Sequence, residues 1–229
     1  MSDFAIGLES IDALYQIYEG INIYEMKSMY LSRLVATRNR TKIETHSISV
    51  LWAPSNPTRG AISLQAFKEN NDKMLEYAKE NKGVKLYVKF HPDQSDDQLL
   101  GIEKYECEDN IVFIDKQQNL LDFIDSVYMV LSTLSLALLD AMARGIPAIS
   151  LADELALRLL RKDLPIIVYK QFDDFKRLIS EQLNSREAIN VWKENIVKMQ
   201  DEFLSNWIMD ESDIKKKYTD MINEQLSSL

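Results

Sequence analysis

Between residues 48 and 170 the hydrophobic period of the sequence switches back and forth between that of a strand and that of a helix, and few folds accommodate such alternation. The run Ile48-Ser49-Val50-Leu51-Trp52-Ala53 is rich in β-favouring residues and is stopped by Pro54 and the turn-forming stretch Ser55 to Gly60. Leu64, Phe67, Met74, Leu75 and Ala78 then recur at helical spacing over about 61–80, and Asn81-Lys82-Gly83 closes that helix. Strands follow at 84–90, 111–114, 127–131 and 146–151, with helices expected near 119–125 and 134–144, and a last strand at 165–169. Strands joined by intervening helices run parallel, with helices on both faces of the sheet.

The expected fold class is therefore α/β, a single doubly wound parallel sheet of Rossmann-like type spanning residues 48–183. Helical extensions flank it. Residues 1–47 carry one helical pattern through Ile11, Leu14, Tyr18 and Ile21 and a weaker one through Met26, Met29 and Leu34. Residues 184–229 carry two more, Trp192, Ile196, Met199, Phe203 and Trp207, then Ile214, Tyr218, Met221 and Leu226, expected to pack back on the domain. The basic stretch Arg38-Asn39-Arg40-Thr41-Lys42 reads as a solvated loop, having no aromatic residues interleaved.

Charge narrows the partners. With 36 acidic against 27 basic residues the formal charge is −9, a field that repels nucleic-acid backbones and anionic lipid headgroups. An anion site has to be local, made of backbone amides and a few cations. One cysteine and two histidines, Cys107, His46 and His91, supply neither a disulfide nor an ordinary structural zinc site, and no cofactor or metal is expected. The acidic start MSDFAIGLES is unlike an export signal, and the apolar tract 127–139 is too short and too polar to cross a bilayer, so a cytoplasmic location is expected.

In an open parallel sheet ligands bind at the carboxyl ends of the strands, and the chemistry-bearing residues gather in the loops that leave those ends. His91 closes an apolar strand in Lys89-Phe90-His91-Pro92, and Pro92 holds it out of helical conformation. An imidazole there could donate a charge-assisted bond to a phosphate, or be a structural residue. Ser132, Thr133 and Ser135 stand where a strand gives way to a helix, either as plain caps or as a phosphate cradle. Asp140 is an acid in an otherwise apolar helix, placed to meet ribose hydroxyls or to pair with Arg144 four residues on. Arg59 is a candidate phosphate clamp or a surface arginine. Asp96-Asp97 and Asp173-Asp174 read as solvated or capping carboxylates, and neither a Walker loop, a nucleophile elbow nor a Gly-x-Gly-x-x-Gly motif occurs.

Four segments, Leu51-Trp52-Ala53-Pro54-Ser55, Val88-Lys89-Phe90-His91-Pro92, Ser132-Thr133-Leu134-Ser135 and Leu139-Asp140-Ala141-Met142-Ala143-Arg144-Gly145-Ile146-Pro147, follow one another in a familiar order. Over residues 48–170 the chain resembles the C-terminal, donor-binding domain of GT-B glycosyltransferases, nearest to the capsule and teichoic-acid transferases that use CMP-sugars or CDP-glycerol. The resemblance implies that His91, Ser132 and Thr133 hold the phosphate of a nucleotide-activated sugar or CDP-glycerol donor and that Asp140 contacts its ribose. Two departures accompany it: many relatives carry Glu at the position of Asp140, and the paired acid of the retaining enzymes, eight residues earlier, is Ser132 here.

A GT-B enzyme also has an N-terminal domain that supplies the acceptor site, whereas 47 residues precede the first strand. Three readings follow. The chain is the donor-binding half of a glycosyl- or glycerophosphotransferase of surface polysaccharide synthesis, working with a second domain, a second subunit or a second copy. Alternatively it is a non-catalytic nucleotide-binding or assembly module, or an epimerase-like enzyme acting on a nucleotide sugar.

Overall fold

A computed structural model describes residues 29–38, 48–59, 62–151, 165–182, 184–205 and 208, with scattered residues between 212 and 223. Its centre is a six-stranded sheet, every pairing parallel, in the order β3-β2-β1-β4-β5-β6. The strands are β1 (Ile48–Trp52), β2 (Val84–Lys89), β3 (Ile111–Ile114), β4 (Met129–Ser132), β5 (Ala148–Leu151) and β6 (Ile167–Tyr169). Chain order reverses between β1 and β4. Val50, on the central strand, faces Leu86 on one side and Met129 on the other.

Strand alternation sends successive side chains to opposite faces, and two cores result. Val50 and Trp52 join Leu86, Val88 and Leu131 beneath α2 (Leu64–Glu80), which contributes Phe67, Met74, Leu75 and Ala78. Leu51 and Ala53 join Val130 and Ala148 on the other face, beneath α3 (Leu121–Ile124) and α4 (Ala137–Arg144). α1 (Met29–Ala36) adds Leu31 and Leu34 to this second core. α5 (Phe172–Arg177) and the π-helical turn after it send Phe175, Leu178 and Ile179 to the first.

The helix ends follow the sequence signals closely at some places and depart at others. Ser63 caps α2, its Oγ accepting from Ala66 N at 3.1 Å, and Asn81 closes it by donating from Nδ2 to Tyr77 O at 2.7 Å. α4 ends on Gly145 at φ 72°, a left-handed conformation that costs glycine little. Ile146 N then reaches Ala141 O at 2.9 Å and Gly145 N reaches Met142 O at 3.0 Å, a Schellman closure. That closure uses Ile146 for the helix end, so β5 begins at Ala148 rather than at 146 as the apolar pattern predicts.

Arg38 departs from the expectation of a solvated basic loop, while Asn39, Arg40, Thr41 and Lys42 lie outside the described residues. The Arg38 side chain is largely buried, donating from Nε to Ala143 O at 2.6 Å and from Nη2 to Met142 O at 3.0 Å, while Nη2 pairs with Asp201 at 2.6 Å. A cation is thereby set on the negative end of α4, where a helix favours it. Asp201 lies on α6 (Arg186–Leu204), so one guanidinium ties α1, α4 and α6 together. Along α6 the buried residues are Ile189, Gln200 and Leu204, with Trp192 packed partly against the first core, whereas Met199, expected on the buried stripe, faces solvent. Trp207 and the stripe through Ile214, Tyr218, Met221 and Leu226 lie outside the described residues, as do Ile11, Leu14, Tyr18, Ile21 and Met26. Among the described residues no helix is long and apolar enough to cross a membrane.

Candidate functional site

Because all six strands are parallel, the loops after β1, β2, β3 and β4 leave the same edge of the sheet. Strand order reverses between β1 and β4, and the junction of their exit loops is the place where such sheets take their ligands. Ser55, three residues past β1, bridges it: its Oγ accepts from Leu134 N at 2.7 Å and donates to Leu134 O at 2.5 Å. A single buried hydroxyl thus fixes the spacing of the two loops across 79 residues of chain.

Ser132 ends β4 and Thr133 follows it, and neither caps a helix. α4 starts at Ala137, three residues later than the hydroxyl cluster suggests, and local capping falls to Ser135, whose Oγ accepts from Ala137 N at 3.2 Å. Ser132 and Thr133 are fully buried, and Ser132 Oγ and Thr133 Oγ1 have no hydrogen-bond partner among the described residues. Thr133 is held through its backbone instead, its carbonyl accepting from Ser150 Oγ at 2.5 Å. Buried hydroxyls are normally satisfied, and these two adjacent ones at a strand's carboxyl end are exceptions among the described residues.

His91 is held by its neighbours in a tight turn. Pro92 occupies the second position, Gln94 N donates to His91 O at 3.0 Å, and Gln94 Oε1 accepts from His91 N at 2.7 Å. Asp93 N donates to Nδ1 of the ring at 3.1 Å. The Asp93 carboxylate lies 3.6 Å from that nitrogen, outside hydrogen-bonding reach, so the amide contact sets the tautomer. Nδ1 is the acceptor and Nε2 carries the proton, as a donor with no partner among the described residues. The ring remains 40% exposed.

Lys89 stands beside these residues with no motif to single it out. It ends β2 almost wholly buried, donating from Nζ to Phe90 O at 3.0 Å and to Lys116 O at 2.7 Å, which joins the exits of β2 and β3. Burial lowers its pKa, against the opposing pull of Asp115. A lysine inside the apolar run of β2 was the sequence signal for it. Alternation puts Tyr87 and Lys89 on one face of β2 and Ser132 on the same face of β4, the face that α4 covers, while His91 lies in the turn two residues beyond β2. Adjacent strands lie ~4.8 Å apart, so the tips of β2 and β4, separated by β1, are roughly 10 Å apart.

Asp140 is placed differently from its expected pairing. It is buried on α4 and accepts from Tyr30 Oη of α1 at 2.8 Å. Arg144 instead pairs with Asp125 at 3.6 Å and donates to Thr37 Oγ1 at 3.1 Å. Burial raises the Asp140 pKa, with the Tyr30 hydrogen bond and the Arg144 charge opposing the rise. A carboxyl whose folded pKa is raised favours the fold in its protonated form, and that contribution is lost as pH climbs through the folded pKa. Asp140→Asn keeps an acceptor for Tyr30 and removes the desolvated charge. It is expected to raise the melting temperature at pH 7, where the wild-type carboxylate has to be held charged and desolvated. The gain should shrink as pH falls below the folded pKa, which thermal melts at pH 4 and pH 7 will show.

The backbone of Arg59 lies in a 3-10 turn (Pro57–Arg59), and its side chain is outside the described residues. Asp96 pairs with Lys116 at 3.2 Å and Asp173 with Lys176 at 3.2 Å, while Asp174 pairs with Arg177, all at the surface. Among the described residues no group of three or more His, Cys, Asp or Glu side chains could hold a metal ion.

No family model matches the sequence, and no curated protein does. Solved structures do match. The spinosyn rhamnosyltransferase SpnG superposes over 88% of this chain and 50% of its own, at a TM-score of 0.52 and 15% identity. TarM of Staphylococcus aureus, solved in complex with fondaparinux, α-GlcNAc-glycerol and UDP, superposes over 93% of this chain and 42% of its own, at 0.51 and 15%. The wall teichoic acid polymerase TagF does so over 87% and 48%, at 0.51 and 12%. The fold is one shared with GT-B glycosyltransferases. At these identities the likeness is one of fold, and the chain spans about half the length of each of the three.

Proposed function

We propose that this chain is the donor-binding half of a GT-B-type glycosyl- or glycerophosphotransferase, holding a nucleotide-activated donor at the junction of the β1 and β4 exit loops. One observation carries the reading: the buried hydroxyls of Ser132 and Thr133 have no partner among the described residues at the carboxyl end of β4, next to the reversal of strand order. A donor phosphate supplies acceptor oxygens of the kind those hydroxyls lack. His91, whose Nε2–H has no partner among the described residues, donates from the other side of β1. Both groups are donors, as a leaving nucleotide requires while negative charge grows on its phosphate oxygens. The start of α4 contributes its positive dipole end to the same region.

Asp140 contributes through the ribose in this scheme. Its Oδ1 is taken by Tyr30, which leaves Oδ2 as the acceptor for a ribose hydroxyl. The crystallised complex of TarM with UDP makes a uridine diphosphate a sensible first probe, and the name of TagF points to surface polymers as products. The test is thermal stability in the presence of CMP, CDP, UDP and GDP. A ligand present at one hundred times its dissociation constant adds about 2.7 kcal/mol to the folded state, so one of the four should raise Tm by several degrees. Absence of any rise at millimolar nucleotide would contradict the proposal.

A further inference from the structure

Asn56, on the exit loop of β1, has one half of its carboxamide committed and the other unused. Oδ1 accepts from Thr58 N at 3.0 Å and from Thr58 Oγ1 at 2.8 Å. A backbone N–H can only donate, so the orientation of the amide is fixed and cannot be reversed. Nδ2 is thereby fixed as the unused half, and it has no partner among the described residues although the residue is 5% exposed. A buried donor left unsatisfied is costly, and in a native fold it calls for an explanation.

Position supplies one. The residue before it, Ser55, is the bridge between the exits of β1 and β4, so Asn56 stands at the reversal of strand order, between the loop that carries His91 and the end of the strand that carries Ser132. We infer that Asn56 Nδ2 is a third donor to the bound ligand, recognising an acceptor oxygen on the phosphate or sugar of the donor. This rests on the proposed nucleotide site and adds a residue to it. The amide is sealed from solvent in the free protein, so the loop of residues 53–59 has to shift for a ligand oxygen to reach it. Binding and loop movement are then one event.

Asn56→Asp tests this most sharply. The carboxylate keeps an acceptor for both Thr58 donors and exchanges the N–H₂ for an oxygen that repels an anionic ligand. Isothermal titration with UDP and CDP, on the wild type, Asn56→Asp and His91→Ala, is expected to show at least a tenfold loss of affinity for Asn56→Asp, with far-UV circular dichroism unchanged. Should that variant fail to fold, Asn56→Ala removes the same donor without burying a charge, and the same tenfold loss is expected. Wild-type affinity in the folded variant, with His91→Ala weakened, would overturn the role of Asn56 and leave the nucleotide site standing. Failure of the wild type to bind either nucleotide would overturn both.

Discussion

Trp52→Ala is expected to lower stability by about 3–5 kcal/mol, the range for removing a large aromatic from a packed core. Trp52 is the last residue of the central strand and is wholly buried among the side chains under α2. Its Nε1 donates to Asn71 Oδ1 at 2.7 Å, a bond buried at both ends, so the substitution opens a cavity and strands an amide oxygen together. Against a typical total of about 5–15 kcal/mol such a loss removes a large share of the stability. Trp52→Phe separates the contributions: it refills most of the space and leaves Asn71 unpaired, for about 1–3 kcal/mol. Urea denaturation of the three proteins checks both figures, and a loss below 1 kcal/mol for the alanine variant would show that Trp52 is not the keystone of this face.

His91→Ala is expected to weaken nucleotide binding by about 1–3 kcal/mol, roughly five- to 150-fold, with little change in stability without ligand. The asymmetry follows from what holds the residue. Gln94 brackets the backbone of His91 through both its N–H and its carbonyl, neither of which the substitution touches. The side chain is 40% exposed and, among the described residues, its polar contacts are the local ones with Asp93. Removing it takes away the Nε2 donor while leaving the turn intact. A His91→Ala protein that binds nucleotide as the wild type does, or one that fails to fold, would assign the ring a purely structural role.

The sheet was legible in the sequence because its punctuation is local. Pro54, Pro92 and Gly145 each stop an element at the chain position where they occur, and the switch of hydrophobic period between them is strong enough to give six parallel strands. The details of the site were less legible because they are made by contacts across long stretches of chain. The start of α4 is misjudged by three residues when Ser132 and Thr133 are read as caps. The loop before α4 is instead pinned by Ser55, 79 residues away from Leu134. Asp140 has a tempting partner four residues on in Arg144, yet Tyr30, 110 residues earlier, reaches it first and Arg144 turns to Asp125. Arg38 has the look of a loop residue and becomes a cap for α4 through carbonyls more than one hundred residues away. Asn56 carries no motif, and only its fixed amide and missing partner single it out.

In the proposed site a nucleotide phosphate is held between His91 and the end of β4, and the imidazole itself can report it. The chain has two histidines, His46 and His91, so a long-range proton–nitrogen correlation spectrum of the side chains shows two rings, and His91→Ala assigns them. On titration with the nucleotide that raises Tm, the His91 ring nitrogens should shift and then saturate at the affinity found by calorimetry, with the Nε2 resonance moving further than Nδ1. Saturation of binding while the His91 resonances stay at their free positions would contradict the site directly.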